Sequence, residues 1–170
     1  MAKPLISEIL QGLTEVEGKE LHKARVAYLQ KHNKFPALKA VLRINFDEAV
    51  VSDLPKGEPP YRKDDAPAGM EYITLHKGFK RLRHFFNGNS NIMQAKREKL
   101  FVDLLESLNH EEAKVLLLAK ERNLYDEYKG LTLKVVQDAF PGLIVKVKEK
   151  KAPVKKAPAK KAVKKTTKKK

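Results

Sequence analysis

Cysteine and tryptophan are absent from the 170 residues. Without cysteine the chain has no disulfide scaffold, no thiolate zinc site and no thiol nucleophile. Long apolar runs are missing too. The longest unbroken one is Val115–Ala119, far short of the roughly 20 residues that span a bilayer. The opening MAKPLISEIL lacks a secretory core, so a soluble intracellular protein without membrane contact is expected. Acidic residues are scarce in one place only. Residues 146–170 hold 13 Lys and one Glu, a charge of +12 out of a total of +15, which leaves 23 basic and 20 acidic residues in 1–145. The body is almost neutral, and the tail carries the charge.

Apolar spacing in the body follows the helical period. Thr14-x-x-Glu17 has the form of a capping box, and a helix is expected from there to about His32, with Leu21, Ala24 and Tyr28 inward. Pro36 suits a first helical position and leads into the stripe Leu38, Val41, Leu42 and Phe46. Six Pro and Gly residues then fall between Ser52 and Gly69, marking a loop or lid over 52–70, longer than an ordinary connector. The period returns at Thr74 with Leu75, Phe79, Leu82 and Phe86 on one face of an α-helix, which Asn87-Gly88 ends. After Ser90 or Asn91 as cap, Leu100, Phe101, Leu104, Leu105 and Leu108 form a wide apolar face, and Asn109-x-x-Glu112 opens the next helix. A last helix runs from Thr132 to Phe140. Strand character is confined to short stretches near 71–73 and 143–147. The expected fold is all-α, a compact bundle of five or six short helices in residues 1–145.

Residues 146–170 repeat the unit KKAPx twice, then decay, with no aromatic residue and strong self-repulsion. Burial there cannot offset the entropy of ordering, so a disordered tail is expected. Flexibly held ammonium groups neutralise phosphates and release condensed counterions without reading base sequence. Lys150, Lys151, Lys155, Lys156, Lys160, Lys161, Lys164 and Lys165 are the candidate contacts to DNA or RNA. A merely solubilising tail is the alternative. On the α-helical wheel Lys77, Lys80, Arg81 and His84 share a second basic face, which is either a secondary contact or an ordinary solvated face, with Asp64, Asp65 and Glu71 close enough in sequence to pair with it. Phe85 falls off the apolar stripe, either as a packing residue or as a platform for a base. Arg97, on the side of Leu100 and Leu104, is expected to snorkel or to form an inner ion pair.

Catalytic signatures are lacking. His22, His32, His76, His84 and His110 form no HExxH or HxxxH pair, and no Gly-rich phosphate loop or nucleophile elbow occurs. Asp64-Asp65 and Glu111-Glu112 are adjacent pairs, which on a helix point different ways. No catalytic residue, metal or cofactor is expected.

The strings LPKGEPPYRKDDAPAGMEYITL and NIMQAKREKLFVDLLESLNHEEAKVLLLAKERNLYDEYKGLT resemble an uncharacterised family encoded by contractile-tailed phages and frequent in those of marine cyanobacteria. The similarity spans about residues 36–142. The tail resembles those of linker histones and bacterial histone-like proteins. Together the resemblances imply a non-enzymatic phage accessory protein in the host cytoplasm, nucleoid-associated or packaged in the virion. Its tail would hold nucleic acid while its body docks on an unidentified phage or host protein. The alternative is a virion structural or assembly protein whose tail neutralises packaged genome.

Overall fold

Ile6, Ile9, Leu10 and Leu13 recur at spacings of three and four, the signature of one buried helical face. In a computed structural model, which describes residues 3–18, 20–63, 72–88 and 91–144, they are the inner stripe of α1 (Ile6–Thr14). This helix corrects the expected capping box. Thr14 is the last residue of α1 and its hydroxyl donates to the Gln11 carbonyl. Gly18 lies beyond it at φ +142°, a conformation that side-chain-bearing residues rarely adopt.

The second helix, α2 (Leu21–Lys31), starts seven residues later than Thr14 and packs on α8 (Leu133–Ala139). Its expected inner face is only partly covered. Leu21 is 37% exposed, Ala24 and Tyr28 are half-buried, and Leu29 is the residue fully enclosed. Tyr28 leans on Gly12 of α1, where a Cβ would collide with its hydroxyl and push the ring aside. Pro36 begins α3 (Pro36–Phe46), with Leu38, Val41 and Leu42 buried and Phe46 half-buried.

Central to the packing is α6 (His110–Glu121), which touches α1, α3, α5 (Gln94–Ser107) and the single turn α7 (Leu124–Glu127). Asn109 caps it, its side-chain oxygen accepting from the Glu111 N–H at 3.0 Å. Phe101, Leu104, Leu105 and Leu108 are buried, but Leu100 is 36% exposed, so the apolar face of α5 starts one residue later than its sequence suggests. That helix begins at Gln94 after Met93, without a side-chain cap, rather than after Asn91; Ser90 lies outside the described residues. Thr132 caps α8 through its hydroxyl, and the helix closes at Ala139 as its sequence indicates.

The adjacent carboxylates Glu111 and Glu112 diverge, Glu111 to solvent and Glu112 to the core. The buried Glu112 accepts from the Ile6 N–H at 3.0 Å and the Leu75 N–H at 2.6 Å. One side chain thus satisfies the first amide of α1 and the first amide of α4 (Leu75–Gly78), donors that no helix can satisfy internally. Asn45 does the same for α7, accepting from the Leu124 N–H at 3.1 Å.

Among the described residues there are eight α-helices and one 3-10 helix, and the only β pairing is the isolated bridge Ser52↔Phe86. The fold is all-α. The count exceeds five or six because α1 escaped the capping argument and because α4 and α7 are single turns. The tail from residue 146 lies outside the described residues, as does the 64–70 part of the expected lid.

Candidate nucleic-acid interface

Local geometry decides which cations meet. After the single turn of α4 the chain tightens into a 3-10 helix, Phe79–His84, where residues three apart eclipse one another. Phe79, Leu82 and Phe85 therefore share one side. Phe85 is 1% exposed, edge-on to Phe101 with ring centroids 5.2 Å apart, so it belongs to the core and is not a platform for a base. Lys80 and Arg83 share the second side, Arg81 and His84 the third. The α-helical grouping of Lys77, Lys80, Arg81 and His84 is corrected accordingly. Lys77, Lys80, Arg81 and Arg83 are exposed. His84 is half-buried, its carbonyl accepting from Arg97 Nε at 3.1 Å. Arg97 itself is half-buried, and it also donates to Gln94 Oε1 at 2.9 Å.

Lys80 and Arg83 face a groove of about 530 Å³ between the 3-10 helix and α3. Arg43, from α3, completes its cationic rim, and Ile44, Val50, Phe79 and Phe86 are among the apolar residues inside. Among the described residues no carboxylate lines it. Behind the rim, the wholly buried Asp47 accepts from Arg43 Nε at 3.1 Å and from the Ala49 N–H at 3.0 Å, holding a guanidinium side chain that is half exposed. Among the described residues no carboxylate pairs with Lys77, Lys80 or Arg81. Asp64, Asp65 and Glu71 lie outside them. Sequence reasoning missed Arg83 and Arg43. A period of three across Phe79, Leu82 and Phe85 was the available sign for the first, while Arg43 arrives only through the packing of α3 on the 3-10 helix.

The described part of the expected lid is stitched down beside this groove. Asp53 N–H donates to the Phe85 carbonyl at 2.9 Å and Asn87 N–H to the Val51 carbonyl at 2.8 Å, while Asn87 Oδ1 accepts from the Val51 N–H. Asn87 and Gly88 both have positive φ, as their sequence suggests for a tight stop. Further along, Lys120 directs its ammonium at the carbonyls of Pro55 (2.9 Å) and Gly57 (3.1 Å) and pairs with Glu121. Glu121 also accepts from the Gly57 N–H at 2.9 Å. The Lys120 hydrogen bond holds the Glu121 carboxyl below its ordinary value, against the opposing effect of burial and with help from the Gly57 amide and the Lys56 charge. A second cleft, about 460 Å³, lies between this loop and α5.

A third cleft, about 390 Å³, is acidic, with Glu8, Glu15 and Glu111 around Tyr128. Burial raises the Tyr128 hydroxyl above its ordinary value, and the charges of Glu111 and Glu127 add to this. The histidines are dispersed: His22 pairs with Asp138 at 2.8 Å, His32 with the Tyr28 carbonyl and His76 with the Pro4 carbonyl. No group of three or more acidic or histidine side chains among the described residues is placed to hold a metal ion. No helix among them is long and apolar enough to cross a membrane.

A family of unknown function, DUF6433, matches residues 12–126, more than half of the chain. The protein belongs to the DUF6433 family. No curated protein and no solved structure matches it. The DUF6433 region begins and ends earlier than the 36–142 span of the sequence resemblance. It takes in every residue lining the basic groove and leaves out α8 and the Lys-rich tail. The eight tail lysines singled out above lie outside the described residues.

Proposed function

We propose that this DUF6433 protein is a non-enzymatic accessory protein of a contractile-tailed phage. Its Lys-rich tail holds nucleic acid without sequence specificity while the helical body docks on a protein partner. The carrying observation is the charge of residues 146–170, 13 Lys against one Glu, on a segment whose composition leaves it little to bury. The nearly balanced body supports the division of labour, since only the tail supplies a long-range field for a polyanion.

Polyelectrolyte theory makes the reading measurable. With about six to eight lysines on phosphates, the logarithm of duplex affinity falls against the logarithm of salt with a slope of roughly −5 to −7, about −0.9 per contact. Fluorescence anisotropy on two duplexes of unrelated sequence reads that slope. The comparison is the full chain against a full-length variant with Lys150, Lys151, Lys155, Lys156, Lys160, Lys161, Lys164 and Lys165 changed to Ala. Equal affinity on the two duplexes and loss of most of the slope in the variant are expected. Undiminished duplex binding by the variant would overturn the proposal.

A further inference from the structure

We propose that the groove between α3 and the 3-10 helix receives an unstacked nucleobase together with its flanking phosphates, so that the body distinguishes single strands from duplex. The inference rests on the reading that this chain binds nucleic acid, and names the form of nucleic acid that the body takes.

Three features of the groove point the same way. Among the described residues its charged lining has one sign, Arg43, Lys80 and Arg83, with the Asp47 carboxylate lying behind Arg43 and not in the groove. Its interior is apolar and includes an aromatic ring, Phe79, that is only half-buried and keeps surface to offer. At about 530 Å³ it lies within the range of sites that enclose small organic groups, about 300–1,000 Å³. A nucleotide matches this pattern, a planar apolar ring beside an anion. Duplex DNA presents phosphates on its outside but keeps the flat faces of its bases stacked within, so it has no base to seat on the floor and is left to the tail. A single strand engages both, and base stacking on an aromatic side chain tolerates any sequence.

The rim is also prepared in advance. Lys80 and Arg83 are held on one side by the three-residue period, and Asp47 fixes Arg43 from behind at 3.1 Å while about half of that side chain stays exposed. A guanidinium already placed, as that of Arg43 is, loses less freedom on binding than a free side chain. An acidic peptide carrying one apolar side chain is the competing occupant. The nucleotide is favoured because the same chain carries the polycationic tail, whose spacing suits a run of phosphates.

The test uses the full chain, a labelled fifteen-nucleotide oligothymidylate, an abasic strand of the same length and a fifteen-base-pair duplex. The double variant Lys80→Ala with Arg83→Ala changes only exposed side chains, and Phe79→Leu, checked by its thermal transition, keeps apolar bulk while removing the ring. Wild type is expected to bind oligothymidylate about tenfold more tightly than the abasic strand. Phe79→Leu should erase most of that preference. The double variant should lose about tenfold for oligothymidylate and less than about twofold for duplex, with the single-strand salt slope shallower by roughly 1.4, about 0.7 for each of two contacts. Wild-type affinity for oligothymidylate in the double variant would overturn the proposal, as would equal binding of the base-bearing and abasic strands. If a leucine-containing oligoglutamate peptide binds wild type and not the double variant, while oligothymidylate binding is the same in both, the groove belongs to a protein partner. Failure of the tail reading looks different, because it appears as undiminished duplex binding in the eight-lysine variant whatever the groove residues do.

Discussion

Glu112 shows how much a single side chain decides in this molecule. Its two oxygens occupy the first amides of two helices that are far apart in sequence. Removing it leaves two buried donors unsatisfied, at about 1–3 kcal/mol each. Glu112→Ala is therefore expected to destabilise by roughly 2–6 kcal/mol, read as a lower urea midpoint. Glu112→Gln should lose less, since it keeps one acceptor and sets an amide –NH2 against the other N–H. An unchanged midpoint in the alanine variant would show that water or a rearranged backbone serves these amides. Its neighbour Glu111, of the same residue type but exposed, would tolerate the same change, so the distinction is one of position. Nothing in the pair Glu111-Glu112 announces which carboxylate goes inward; the direction is set by the packing of α6 against α1.

At the scale of elements, the clamp on the loop has a pH signature. The Glu121 carboxyl is held below its ordinary value near 4.5, so its charged form is favoured in the folded protein. The stability it contributes is complete above that value and is lost as pH falls through the lowered one. Urea unfolding of wild type and Glu121→Gln is expected to show a difference that narrows from about pH 6 to about pH 3. A pH-independent difference would mean that Lys120 holds the loop carbonyls without its acidic neighbour. Helices with a polar cap were legible in the sequence: Asn109 and Thr132 mark α6 and α8 closely. For α1 the stripe Ile6, Ile9, Leu10 and Leu13 was present but followed an apolar N-cap, Leu5, whose amide is served from within the helix by Glu8, whereas Thr14-x-x-Glu17 offered a false start. The 3-10 helix was hidden for a different reason. Over six residues, periods of 3.0 and 3.6 place apolar side chains almost alike, and only the complete burial of Phe85 separates them. The basic site inherits that ambiguity, because the choice of period determines whether Arg83 or Arg81 joins Lys80.

For the molecule as a whole, charge and core occupy different parts of the chain. The last described residue, Ile144, is still buried, and everything after Val145 is strongly cationic. A chain ending at Val145 is thus expected to keep the helical circular-dichroism signal and the cooperative thermal transition of the full chain, because a segment of mostly Lys, Ala and Pro has little apolar surface to contribute. Loss of cooperativity would reveal that the tail takes part in folding. The DUF6433 region stops at residue 126, before α8, although α8 is the principal support of α2. The matched region and the structural unit therefore differ at their C-terminal ends. The groove lies in the matched region and the tail does not, so family-wide measurements of single-strand binding address the groove separately from any appended tail.

The reach of Glu112 along the chain also sets a schedule. Ile6 precedes its partner by 106 residues. With synthesis at about 5–20 residues per second, α1 leaves the ribosome roughly 5–20 seconds before the carboxylate that completes it. During that interval its four-residue apolar stripe lacks the packing surface of α6, and its first amide has water in place of the Glu112 carboxylate. A helix made well before α6 thus becomes native only after it, and the newborn chain must keep Ile6, Ile9, Leu10 and Leu13 from unwanted neighbours while it waits.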